Sequence, residues 1–131
     1  MDADPDVQAL AEKLFEFARE GETAQLAAYI EAGVPVNLTN SKGDTLLILA
    51  AYHVRPDAVR TLIDHGADPD RVNDRGQTAL ASAIVRNSSE IVRALLEAGA
   101  DPSAGTRTAA EIAAFFDLEE MTALLEESGA A

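Results

Sequence analysis

The chain has no cysteine and no tryptophan, and only 5% of its 131 residues are aromatic. Without cysteine it can build neither a disulfide framework nor a thiolate metal site. With so few rings, its core has to come from Ala, Leu, Ile and Val, which suits thin stacked layers better than one thick globule. Base is scarce too. Lys13 and Lys42 are the only lysines, and with eight arginines they face 23 acids, a net charge of −13. A chain this acidic is repelled by a phosphate backbone, so nucleic acid is not an expected partner. Met1 to Asp6 carry neither a positive stretch nor an apolar run. Nor does any stretch of about 18 apolar residues occur. No secretory signal and no membrane contact are expected, and a cytoplasmic location follows by default.

The charge is uneven. Residues 1–40 hold eight acids and two bases, residues 41–104 nine and seven, and residues 105–131 six and one. Two solvated ends flanking a nearly neutral middle account for this, with a basic partner held at one acidic end as the alternative.

What the chain does have is self-similarity. Gly33, Gly66 and Gly99 are 33 residues apart, as are Gly43 and Gly76, Thr45 and Thr78, and Leu62 and Leu95. The segment KGDTLLILAAYHVRPDAVRTLIDHGADPD from Lys42 aligns with RGQTALASAIVRNSSEIVRALLEAGADPS from Arg75. A third copy starts at Leu14. A fourth starts at Thr108, offset by 30 with the missing residues in the loop before it. Each copy reads helix, turn, helix, loop. Thr45 is placed to cap a short apolar run to Tyr52. Pro56 suits the first position of a second helix, where its missing N–H costs nothing. Ala58, Val59, Leu62 and Ile63 follow at helical spacing, and Gly66 is expected as the left-handed residue after the helix. Asp68-Pro69 extends the chain, and Asn73-Asp74-Arg75-Gly76 makes a tight turn. Asn87-Ser88-Ser89 and Gly99 repeat the punctuation in the next copy.

The motifs GADPD and GADPS, the leading KGDT and RGQT, and the period of 33 resemble the ankyrin repeat. The resemblance covers about residues 7–131. It implies an all-α, ankyrin-repeat solenoid of about four stacked helix-turn-helix repeats with short β-turn loops, one domain over residues 1–131. The expected units are 7–39 (an N-terminal cap), 40–72, 73–105 and 106–131 (a shortened C-terminal cap). The family's Thr-Pro-Leu-His signature survives only in its threonine: Thr45-Leu46-Leu47-Ile48, Thr78-Ala79-Leu80-Ala81 and Thr108-Ala109-Ala110-Glu111. The missing histidine, which braces neighbouring repeats in the family, weakens that brace but not the fold. In the first copy Phe15 and Phe17 stand where the next has Ile48 and Ala50, and Glu12, Glu16 and Glu20 recur every four residues as for an outward-facing end. The last copy carries Glu119, Glu120, Glu126 and Glu127. Terminal repeats of a solenoid need such polar faces.

No catalytic constellation is visible. His53 and His65 lack metal-ligand spacing and a third ligand. His65 precedes Gly66 and reads as a group that interacts with the end of its helix. His53 ends a first helix beside Tyr52 and is either an exposed contact or simply a helix end. No phosphate-cradling glycine motif occurs. Ser88, Ser89 and Ser103 read as turn residues. Asp68, Asp70, Asp74 and Asp101 lie in loops without calcium-loop spacing. Adjacent pairs such as Glu119-Glu120 do not face each other across a cleft, as acid–base chemistry requires. No cofactor, no metal and no enzymatic activity are expected.

Members of the resembled family bind proteins along a concave surface made by the loop tips and the first helix of each repeat. Mapped by motif, the tips are Ser41, Lys42 and Asp44, then Asp74, Arg75 and Gln77. The helix ends form a ladder, with Arg19, Tyr52, Val85 and Phe115 on one level and Glu20, His53, Arg86 and Phe116 on the next. Lys42, Arg75, Arg86 and Arg107 make this side locally basic and leave the second-helix side acidic. Adjacent helical residues point about 100° apart, so Phe115 and Phe116 cannot both be fully buried, and one of them is a candidate core residue of the last repeat. The expected function is to bind an as yet unidentified protein partner, as a monomer on its own. A stabilising subunit of a larger complex, or a small-molecule binder or enzyme, are the competing classes. Exposed Tyr52, Val85, Phe115 and Phe116 would favour a binder, whereas a polar pocket with converging titratable groups would favour an enzyme. Scarce lysine beside abundant arginine and alanine suggests a bacterial source with a GC-rich genome.

Overall fold

The computed structural model describes residues 5–129, with side chains from residue 8 onward. Residues 1–4, part of the stretch read as lacking a signal, and residues 130–131 lie outside the described residues. Among the described residues, eight α-helices follow one another in four pairs: α1 (Pro5–Glu20) and α2 (Thr23–Glu31), α3 (Leu46–Tyr52) and α4 (Pro56–Asp64), α5 (Ala79–Val85) and α6 (Ser89–Glu97), α7 (Ala109–Phe115) and α8 (Glu119–Glu127). The only β pairing among the described residues is an isolated bridge between Thr39 and Thr45.

The punctuation read from the sequence is what starts and stops these helices. Thr45, Thr78 and Thr108 are N-caps whose hydroxyls accept from the backbone N–H groups of Ile48, Ala81 and Glu111 at 3.0, 3.1 and 3.1 Å. Glu111 accepts in return from the Thr108 N–H, closing a capping box. Pro56 opens α4, and Gly66 follows its C-cap with φ +90°. The turn between the paired helices carries a positive φ in every copy, at Gly21, Val54, Asn87 and Asp117. Val54 is the misfit. It is β-branched and held at φ +58°, where a branched Cβ crowds the backbone.

The first helices, α1, α3, α5 and α7, pack side by side as one layer, and α2, α4, α6 and α8 form the other. The middle first helices are packed between neighbours, and Leu46 to Ala51 and Ala79 to Ile84 are buried without a break, all apolar but Ser82, whose hydroxyl donates to the Thr78 carbonyl at 3.0 Å. Ala18, Ala50, Ala83 and Ala113 are fully buried, and their small side chains bring the helices together. The second helices are amphipathic. Ala58, Val59 and Leu62 on α4, Ile91, Val92 and Leu95 on α6, and Met121, Leu124 and Leu125 on α8 face inward. At the N-terminal end, Phe17 and Tyr29 take the places of Ala50 and Leu62 and stack at 6.1 Å, adding the bulk that closes the layer.

Loops supply the bracing that the missing histidine would give. Asn37 Oδ1 accepts from the Asp68 N–H at 2.8 Å, and one repeat on, Asp70 Oδ1 accepts from the Asp101 N–H at 2.7 Å. Backbone bonds run from Asp74 N to the Lys42 carbonyl and from Thr106 N to the Gly76 carbonyl, so even the shortened last loop pairs with its neighbour. Asn40 and Asn73 shape the tips. Each side-chain oxygen accepts two backbone N–H groups, those of Lys42 and Asp44 in the first tip and of Arg75 and Gln77 in the second. On the outer layer His65 Nδ1 bonds the Thr61 carbonyl at 2.8 Å and Nε2 bonds the Glu31 carboxylate at 3.0 Å, tying α4 to α2. Both partners favour the charged ring, and its pKa is raised, by the Thr61 carbonyl first and Glu31 second.

Three stability outcomes follow. Asn73→Ala strands two backbone donors and the buried Asp44, and should cost about 2–3 kcal/mol in urea unfolding. Val54→Asn, the residue found one repeat later, should gain about 1 kcal/mol and raise the melting temperature, because it relieves the αL penalty at an exposed site. Because the folded pKa of His65 lies above its unfolded value near 6.5, its link to Glu31 is fully present below that pH. The link is lost as pH rises through the folded value. The stability difference between wild type and Glu31→Gln should therefore shrink as pH rises from about 6.5 through the raised folded value, and a difference that stays constant would contradict the link.

Candidate protein-binding face

The face expected to bind a partner is built from the ends of the first helices and the loop tips. Because α3, α5 and α7 are seven-residue helices with threonine caps in register, their C-cap residues fall in line: His53, Arg86 and Phe116. The residues one step before them, Tyr52, Val85 and Phe115, are 46%, 41% and 74% exposed, and Phe116 is 51% exposed. Neither phenylalanine is a core residue of the last repeat. The two rings pack edge to face at 5.0 Å and stand out from the protein together.

Two concavities share this face. The larger, about 600 Å³, runs between α1, α3 and the tips at 40–44 and 73–77. It gathers Arg19, Lys42, Tyr52, His53, Arg75 and Gln77. The smaller, about 350 Å³, is lined by Val85, Phe115 and Phe116 with Arg75 and Arg107 at its rim. Arg75 and Gln77 contribute to both, so the two adjoin at the 73–77 tip. Arg86 lines neither, but its guanidinium lies over the Tyr52 ring at 5.4 Å, a cation–π contact that fixes both side chains. His53 meets the same ring edge-on at 5.4 Å. The histidine is held below its ordinary pKa, by partial burial first and then by the charges of Arg19, Arg55 and Arg86.

Several residues sit otherwise than expected. Asp44 is buried, 7% exposed, because the Asn73 amide donates to its carboxylate at 2.8 Å. It shapes the tip from within, and the little of it that stays exposed lines the larger concavity. Asp74 is exposed at the tip but lines neither concavity, its backbone N–H taken by the Lys42 carbonyl. Glu12 and Glu16, expected on an outward end, line the N-terminal end of the larger concavity, because α1 is 16 residues long and runs alongside it. Glu20 is exposed but lies outside both concavities. Arg55 was not singled out, yet its Nε donates to the Arg19 carbonyl at 2.8 Å and adds a positive charge beside His53. Ile112 also lines the smaller concavity, and its helical spacing from Phe115 and Phe116 is the one signal that could have found it.

Among the described residues no three His, Asp or Glu side chains gather where a metal ion could sit. The loop carboxylates are occupied in turns: Asp68 accepts from the Asp70 N–H, and Asp101 from the Ser103 N–H. No described helix is long and apolar enough to cross a membrane.

The family model for ankyrin repeats, spanning three copies, matches residues 14–106. With eight helices in stacked pairs and the tip turns in register, the chain belongs to the ankyrin-repeat family, whose members generally serve as non-enzymatic protein–protein interaction modules. Among its relatives, an ankyrin repeat protein of Pseudomonas aeruginosa is 44% identical over 57 residues, 44% of this chain and 33% of that protein. An ankyrin repeat protein of Fowlpox virus is 36% identical over 58 residues, 44% of this chain and 8% of that protein. An inactive serine/threonine-protein kinase of Mus musculus is 32% identical over 62 residues, 47% of this chain and 4% of that protein. The chain thus spans a third or less of the length of these curated relatives.

Proposed function

We propose that this chain is a non-catalytic interaction module that holds a partner protein across the tips and first-helix ends of its four units, 7–39, 40–72, 73–105 and 106–131. The observation that carries the reading is the row of exposed Tyr52, Val85, Phe115 and Phe116 on helix ends that the core holds in register. Clustered exposed apolar side chains rimmed by polar groups mark interaction sites, and aromatic and arginine side chains on a rigid frame are the usual anchors of protein interfaces. Arg19, Lys42, His53, Arg75, Gln77 and Arg86 would frame those anchors with polar contacts. A bacterial source, supported by the arginine- and alanine-rich composition and the Pseudomonas relative, and a cytoplasmic setting belong to the same proposal.

The test separates surface from core. Phe115→Ser should change stability by no more than about 1 kcal/mol, since most of the ring is already in water. The folded Tyr52→Ala/Phe115→Ser variant should lose partners that wild type retains from a native lysate. Equal retention by both would place binding on an end or on the second-helix layer.

A further inference from the structure

Building on the concave face as the working surface, we infer that the segment it holds is extended and acidic, with carboxylates on Arg86, Arg75 and Lys42. An aromatic or aliphatic side chain about three residues away rests against Phe115 and Phe116.

The first ground is where the unpaired base lies. The ion pairs among the described residues are Arg60 with Asp57 and Glu90, Arg71 with Asp68, and His65 with Glu31, on the second helices and the loop behind α4. Arg19, Lys42, Arg55, Arg75, Arg86 and Arg107 take part in none of these pairs. In a chain with 23 acids and ten Lys and Arg, acidic partners are abundant, yet among the described residues most of the bases outside these ion pairs lie on this face, Lys13 on α1 and Arg93 on α6 being the others. The charges are also felt together, since three of the arginines act on His53 at once.

The second ground is geometry. Arg86 lies over Tyr52, so its guanidinium is already oriented before a ligand arrives. A planar guanidinium held this way presents paired donors that match a carboxylate. Packed helices are about 8–10 Å apart, and an extended chain advances about 3.3 Å per residue. One step from the α5 rung to the α7 rung therefore takes about three residues of ligand. That sets the spacing between a carboxylate near Arg86 or Arg75 and an apolar side chain at Phe115 and Phe116. Glu12 and Glu16 at the opposite end of the groove repel acid, which directs the carboxylates to the middle of the face.

Bases beside exposed rings also suit single-stranded nucleic acid. The net charge of −13 and the acidic end formed by Glu12 and Glu16 oppose a long polyanion, whereas a short acidic segment spans only Lys42, Arg75 and Arg86, where the carboxylate that also lines the groove, Asp44, is buried and held by the Asn73 amide.

A phage-displayed library of random linear peptides panned on the folded chain tests this. The expected result is enrichment of Asp or Glu about three residues from Phe, Trp, Tyr or Leu. A peptide synthesised from the enriched set should lose at least about tenfold in affinity to Arg75→Glu/Arg86→Glu, together with most of its salt dependence. Against Phe115→Ser/Phe116→Ser it should lose a similar factor with its salt dependence kept. Circular dichroism establishes that the variants are folded, and Arg86→Gln replaces the double variant if it is not. Enriched peptides that are neutral or basic, yet lost in the same variants, would overturn the acidic ligand and leave the concave-face reading standing. Peptides indifferent to both variants, or no enrichment at all, would overturn both. Labelled oligothymidylate binding that Arg75→Glu/Arg86→Glu abolishes would overturn the proposal in favour of nucleic acid.

Discussion

No helix pair in this protein can bury its own apolar side chains, and the rest of the structure depends on that constraint. A unit such as α3 with α4 covers only one side of α3. The other sides are closed by α1 and α5, which makes Leu46 to Ala51 a continuous buried run. Stability is therefore shared between neighbours, and the ends need separate treatment. Phe17 against Tyr29 supplies bulk at one end. Acidic side chains such as Glu119, Glu120, Glu126 and Glu127 solvate the other. The large negative charge belongs to that arrangement more than to any ligand.

Stacking alone would leave the loops free to wander. Their register comes from polar contacts repeated at nearly the same spacing. Asn37 with Asp68 and Asp70 with Asp101 link successive loops, and Asn40 and Asn73 fold the tips in the same way. The buried Asp44 is satisfied by Asn73 from the next repeat, so a carboxylate that looks like a surface contact is part of the frame. This network occupies the place of the histidine brace that the chain lacks. Because it fixes the tips relative to the helix ends, Lys42 and Arg75 meet Tyr52 and His53 around one groove.

The candidate face joins two properties. Its apolar rungs are exposed, and its bases are left without acidic partners in a protein rich in acid. Cation–π contact between Arg86 and Tyr52 holds part of that face ready before anything binds. Behind that face, Arg60 on α4 and Arg71 in the loop after it are paired to neighbouring acids.

The period of 33, the threonine caps, Pro56 and the glycines after the second helices were enough to place the helix pairs and their order, because each acts within a few residues of its own position in the chain. The helix-end ladder could be read for the same reason: once caps and period are known, equivalent positions follow. What lay beyond the sequence depended on contacts between repeats. Nothing local marks Asp44 as buried, since its partner Asn73 is 29 residues away. Nor does anything local show that Glu12 and Glu16 line the groove, because that depends on how far α1 extends beside α3. Whether Phe115 or Phe116 belongs to the core was decided only by the packing of α7 against α5, which buries Ile112 and Ala113 and leaves both rings outside. Local chemistry determined the repeating unit, and tertiary packing decided which faces the stack consumes and which it leaves for a partner.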